Sequence, residues 1–142
     1  MPLRAALYRA AAIAGIVAVA LAAHVRVEAF GPRPRPATVM LLYVGAEDCP
    51  PCLVWQRGDG ASFRASPGFA RVIYREVRSP TLMDVLKDEN WPADLRQYRA
   101  HLAVGAGVPL WFVIADGAIV ERGFGLSQWR GVVLPRLKSL LR

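Results

Sequence analysis

Residues 39–44 form an unbroken apolar run, Val-Met-Leu-Leu-Tyr-Val, with the length and composition of a buried strand. The pattern then turns helical. Cys49-Pro50-Pro51-Cys52 opens a helix that Leu53, Val54 and Trp55 continue, because proline is tolerated in a first turn whose N–H groups have no intrahelical partner. Gly58 and Gly60 weaken or end it. Residues 71–77, Arg-Val-Ile-Tyr-Arg-Glu-Val, predict a second strand, and Ser79-Pro80 predicts the N-cap and first turn of a helix through Lys87. Trp91-Pro92 interrupts that helix, and a further piece over residues 92–101 carries Leu95, Tyr98 and Leu102 on one face. Residues 108–114 are rich in β-formers, Asp116-Gly117 is a tight hairpin turn, and residues 118–124 return antiparallel, with Glu121 and Arg122 placing the return strand nearer an edge. Finally Leu126, Trp129, Val133, Leu137 and Leu141 make one helical stripe, which Pro135 must kink or split. The order β-α-β-α-β-β-α predicts an α/β domain.

Ahead of that domain the pattern has neither period. Arg4 and Arg9 precede an uninterrupted apolar stretch over residues 10–23, and Ala20-Leu21-Ala22 supplies the small-x-small pattern of a cleavage site. The stretch is shorter than the roughly 20 residues that cross a bilayer, which favours a cleaved signal peptide; extended through Val25 and Val27 it becomes an N-terminal membrane anchor. Residues 1–30 are read as one or the other, and both put the rest of the chain on the oxidising side of a membrane. Gly31-Pro32-Arg33-Pro34-Arg35-Pro36 then fixes an extended path, so residues 31–37 read as a Pro/Arg spacer and residues 38–142 as the folded domain.

Composition changes this picture in one respect. A net charge of +7 suggests a nucleic-acid partner, but Arg4, Arg9, Arg26, Arg33 and Arg35, offset by Glu28, carry four of those charges outside the domain. The remaining +3 over residues 37–142 is an ordinary surface balance, and no nucleic-acid partner is expected.

Cys49 and Cys52 are the only cysteines. Two residues apart at a helix start, their sulfurs come within bonding range, and Cys49 faces the positive end of the helix, so the pair is expected to be presented for reversible thiol–disulfide exchange. A purely structural bridge is disfavoured, since so short a loop contributes little stability. Zinc lacks ligands: besides the two cysteines only His24 and His101 exist, the former in the leader. A copper relay using Cys49, Cys52 and His101 is a rival, because soft thiolates suit Cu(I), and a non-catalytic interaction domain is another. The helix end alone contributes about 0.3–1 kcal/mol to a thiolate, and Pro50 and Pro51 have no N–H, leaving the Cys52 and Leu53 amides as donors. Cys49 is therefore expected to be only modestly acidified, as suits a reductant or mild exchanger. Trp91, Trp111 and Trp129 read as core, while Trp55, three residues beyond Cys52, is a candidate for the surface beside the thiols.

Over about residues 38–142 the chain resembles the thioredoxin superfamily, on Cys49-Pro50-Pro51-Cys52, on Gly107-Val108-Pro109 as its cis-proline loop, and on Ile114-Ala115-Asp116-Gly117 through Gly123 as its hairpin and following glycine. The resemblance implies a thioredoxin-like α/β fold, a central mixed sheet of about four strands with helices on both faces. It implies Cys49 as attacking and Cys52 as resolving thiol, a redox-active disulfide in place of any organic cofactor, and client binding by Val108, Pro109 and Pro51, to which Trp55 is added from its position beside Cys52. With the leader, it implies a periplasmic protein, soluble or anchored to the inner membrane, with cysteine-containing exported proteins and an upstream thiol donor or acceptor as partners. Tyr43 departs from the buried aspartate of thioredoxin itself, Asp48 from a common tryptophan, and Leu110 from a common threonine.

Overall fold

The apolar run forms strand β1 (Val39–Ala46), and it lies at the centre of the sheet, where every residue but Met40 is buried. A computed structural model describes residues 34–103 and 106–142; the leader and the first part of the spacer lie outside the described residues. β2 (Ile73–Ser79) pairs parallel with β1, β3 (Leu110–Ala115) pairs antiparallel on its other side, and β4 (Ala118–Phe124) closes the order β2-β1-β3-β4. The hairpin turn has positive φ at both Asp116 (49°) and Gly117 (83°), the primed geometry that suits twisted strands.

Alternation along β1 separates two apolar layers. Leu42 and Val44 face Val77, Val85, Trp91, Leu95, Tyr98 and Phe112, whereas Leu41 and Tyr43 face Trp55, Phe63, Trp111, Trp129, Val133 and Leu137. Each such side chain, fully buried, contributes about 1.5–3 kcal/mol of transfer free energy. Residues Arg35–Arg142 thus make one compact unit with both sheet faces covered.

Helix α1 (Pro50–Arg57) begins at the proline pair and ends at Gly58, and α2 (Asp59–Arg64) follows at once. The glycines hinge the chain rather than merely stopping it. A Cβ on Gly60 would fall 2.9 Å from the ring and the carbonyl oxygen of Trp55, so only glycine lets α2 fold back against α1 so closely.

The helix expected over residues 80–87 does not form. Ser79 ends β2 instead of capping a helix: its hydroxyl donates to the carbonyl oxygens of Thr81 (2.8 Å) and Gly45 (3.4 Å), and Thr81 is extended. Leu82–Asp84 and Asp88–Asn90 are single 3₁₀ turns, pinned where the Trp91 indole N–H donates to Val85 O at 2.7 Å. In place of the piece expected over residues 92–101, a 3₁₀ turn at Ala93–Leu95 buries Leu95 and leads into the short α3 (Arg96–Arg99), which buries Tyr98. Pro135 splits the last helix as its missing N–H requires: α4 (Gly125–Gln128) passes through a π-helical turn, Trp129–Val133, into α5 (Leu134–Leu140), whose first turn holds the proline. Among the described residues no helix is long and apolar enough to cross a membrane.

Candidate active site

β1 and β2 end, and β3 begins, at one edge of the sheet, since Ala46 pairs with Ser79 and Val44 with Leu110. The cysteine pair leaves from that edge. Beyond Ala46 the chain is fixed twice before it reaches Cys49: Glu47 N–H donates to Ser79 O at 3.0 Å, and the Asp48 carboxylate accepts Leu82 N–H at 2.8 Å.

Cys49 is the N-cap of α1, with an extended backbone, and its Sγ accepts the Cys52 N–H at 3.2 Å. Leu53 N–H goes instead to Cys49 O at 3.1 Å, so of the two amides left by the prolines only one reaches the sulfur. Cys49 and Cys52 are joined as a disulfide with Cα atoms 5.2 Å apart. On the other side the carbonyl oxygen of Val108 lies 3.6 Å from Cys49 Sγ, and the Val108–Pro109 peptide is cis. In the reduced form that carbonyl accepts from a thiol and repels a thiolate, so the site offers the charged sulfur one donor and opposes it with one acceptor.

Two expectations need correction. The pair is not openly presented: Cys49 is 1% exposed and Cys52 0%, both within the apolar layer of Val85, Trp91 and Val108. Pro50 and Pro51 are exposed above it. Trp55 does not line the surface either. It is fully buried in the opposite layer, stacked 4.6 Å from the Tyr43 ring and roofed by the Arg64 guanidinium, which lies 5.7 Å over it and donates to Gln56 O. An i,i+3 spacing from the buried Cys52 was the available signal, since it puts both on the inward face of α1, while Val54 faces out at 57% exposure.

Tyr43 has its hydroxyl accepting from Gln56 Nε2 at 3.1 Å, and burial pushes its pKa above the ordinary phenol value, so it stays neutral at physiological pH. His101 is exposed beyond α3, in clefts with Phe112 and Arg122. It is not gathered with the sulfurs: among the described residues no group of three or more His, Cys, Asp or Glu is placed to hold a metal. The sequence did not reveal the apolar rim at this end. Leu82 hangs from the Asp48 carboxylate with Met83 beside it, 89% exposed, and the half-exposed Phe124 lays its ring on Gly107, where a Cβ would fall 2.5 Å from it. Gly125 N–H closes the loop onto Pro109 O at 2.9 Å.

A mixed sheet in the order β2-β1-β3-β4, covered on both faces, with a cysteine pair capping the helix after its central strand and a cis-proline beside it, defines a thioredoxin-fold domain. No protein-family model and no curated protein matches the chain by sequence. Solved structures do match in shape. The thioredoxin of Malassezia sympodialis superposes with a TM-score of 0.52 at 12% identity, over 76% of this chain and 81% of that one. The short form of spinach chloroplast thioredoxin f does so with a TM-score of 0.50 at 13% identity, over 74% and 78%. At such identities the likeness is one of fold.

Proposed function

We propose that this chain is an exported thiol–disulfide oxidoreductase that reduces disulfides of other exported proteins. The observation that carries the reading is the Cys49–Cys52 disulfide at the start of α1, with Cys52 N–H on the Cys49 sulfur. In the reduced protein the Cys49 thiolate attacks a client disulfide; one sulfur stays bonded to Cys49 and the other leaves as the client's thiolate. Cys52, as thiolate, then attacks Cys49 Sγ, releasing the second client sulfur and forming the disulfide described above, so two electrons pass from the pair to the client. An upstream dithiol restores the reduced pair. A single N–H donor and the facing Val108 carbonyl support the reductive direction, because a weakly stabilised thiolate leaves the disulfide the favoured form. The leader over residues 1–30 supports a periplasmic site of action, free or membrane-anchored.

Because Cys49 is only 1% exposed, the residues around it must shift as a client docks. Trapping tests the whole reading. Reduced Cys52→Ser protein should hold a covalent adduct on Cys49 in an extract of exported proteins, released by dithiothreitol. Absence of any adduct, with insulin disulfides left intact by the unmodified protein, refutes it.

A further inference from the structure

On the sheet face away from the cysteine layer, an apolar cleft of about 580 Å³ opens between α2, the turn at residues 66–68 and α5. Phe63, Trp129 and Leu137 form its buried floor, and Leu134 and Leu141 its half-buried walls. That volume and lining are those of a site for a small apolar molecule. Its polar rim has one sign. Asp59 is the single acidic side chain of the lining, and Arg130 already holds it at 2.8 Å, whereas the Lys138 and Arg142 side chains join none of the ion pairs among the described residues. Residues 129–142 as a whole carry Arg130, Arg136, Lys138 and Arg142 and no Asp or Glu.

The geometry points to a binding site for one molecule of a long-chain carboxylate, its acyl chain laid over Trp129 and its head group met by Lys138 and Arg142. Charge and shape both select this occupant. A peptide helix would lay its own polar backbone and side-chain groups on the apolar floor of Phe63, Trp129 and Leu137, at a desolvation cost that an acyl chain does not incur. Adsorption to a bilayer would need apolar side chains pointing outward, yet Leu134, Leu137 and Leu141 line the cleft itself.

Gly68 supplies the test. It is helical (φ −67°, ψ −25°), so any side chain is tolerated by its backbone, and a Cβ there would stand 3.7 Å from Leu141 inside the cleft without a clash. The probe is bromine-substituted octadecanoate, used with the full chain below its micelle concentration and read as quenching of tryptophan fluorescence, since Trp129 forms the floor and Trp55 and Trp111 each lie 5.1 Å from it. Saturable one-to-one quenching is expected, reversed by unbromined octadecanoate and weaker for the corresponding alcohol. Gly68→Leu should weaken binding about tenfold or more, because each methylene kept out of the cleft forfeits roughly fourfold in affinity. Lys138→Glu, on an exposed position, should weaken the carboxylate and not the alcohol, with insulin reduction unchanged in both variants. Quenching that does not saturate, that survives Gly68→Leu in a folded protein, or that occurs only on anionic vesicles overturns the assignment.

Discussion

Pro51 occupies the second position of α1, one of the two from which a backbone N–H can reach an N-cap side chain; the other is Cys52, whose N–H does so at 3.2 Å. Pro51→Ala therefore adds a second donor to the Cys49 sulfur. A hydrogen bond to a charged group contributes about 1.5–3 kcal/mol, and the low end applies because the flanking prolines are exposed to solvent. About 1.4 kcal/mol is a factor of ten, so the acid dissociation constant of the Cys49 thiol should rise about tenfold. Stabilising the thiolate stabilises the reduced form, and for a two-electron couple the same energy makes the potential less negative by about 30 mV. Losing the proline also costs about 0.4–1 kcal/mol through the unfolded chain, but that cost falls on both redox forms and cancels from the potential. Thiolate ultraviolet absorbance against pH gives the first quantity, and equilibration with glutathione the second. Pro50→Ala is the control, because an N–H at the first helical position does not point at the cap. The reasoning fails if Pro51→Ala changes neither quantity, or if Pro50→Ala changes both equally.

Asp48→Ala removes the acceptor that ties Leu82 to the segment entering Cys49, and the loosened turn should let dithiothreitol reduce the disulfide several-fold faster, up to about the tenfold that one charge-assisted bond allows; an unchanged rate would mean that this turn does not shield the pair. Gly45→Ala should cost about 1–3 kcal/mol in urea unfolding, because its Cβ would strike the Tyr43 hydroxyl and ring, and the cost should shrink in a Tyr43→Leu background; strict additivity would refute the contact. Arg75 holds the Asp94 carboxyl below its ordinary value of 3.8, chiefly by hydrogen bonding. A folded value lower than the unfolded one gives stability that is complete above the ordinary carboxylate range and lost as pH falls through the lowered value, so Asp94→Asn should make acid unfolding slightly less steep below about pH 4. The effect must be small for a solvent-exposed pair, and a shift confined to pH above 6 would contradict it.

What the chain disclosed in advance was whatever local chemistry decides alone. The run at residues 39–44 could only be a strand buried on both sides, the Asp116-Gly117 pair could take positive φ at little cost, and Pro135 could not continue a regular helix; each is where local pattern put it. The placing of Cys49 and Cys52 at a helix start likewise needed no tertiary information, since cap chemistry decides it, whereas Pro109 as the cis-proline was legible only through the resemblance to the thioredoxin superfamily. Ser79-Pro80 carried the same kind of local signal and it misled. A helix there had to compete with Gly45 O and Thr81 O for the Ser79 hydroxyl, and with the parallel ladder that extends β2 to its last residue; Gly45 and the β1 partners of that ladder are far away in the sequence. Burial of the sulfurs was hidden because it depends on residues distant in sequence, Val85, Trp91 and Val108, gathering into one apolar layer with them.

The Asp48 carboxylate has a structural task which its place beside Cys49 alone would not suggest. A negative charge next to a nucleophilic sulfur disfavours the thiolate by Coulomb repulsion, yet here its Oδ1 is turned to the Leu82 N–H. The same side chain thus fixes the Leu82 turn to the segment that enters Cys49 and directs its charge to a donor on that turn. Displacing the Leu82 turn would break the hydrogen bond and free the carboxylate to oppose the Cys49 thiolate, so the position of that turn and thiolate stability are coupled through one residue. Asp48→Asn separates the two, since the amide oxygen still accepts from Leu82 without the charge: it should leave the disulfide as slow to reduce as in the unmodified protein while making the reduced Cys49 more readily ionised. Faster reduction with unchanged ionisation would show that the tie depends on charge and that the coupling is absent.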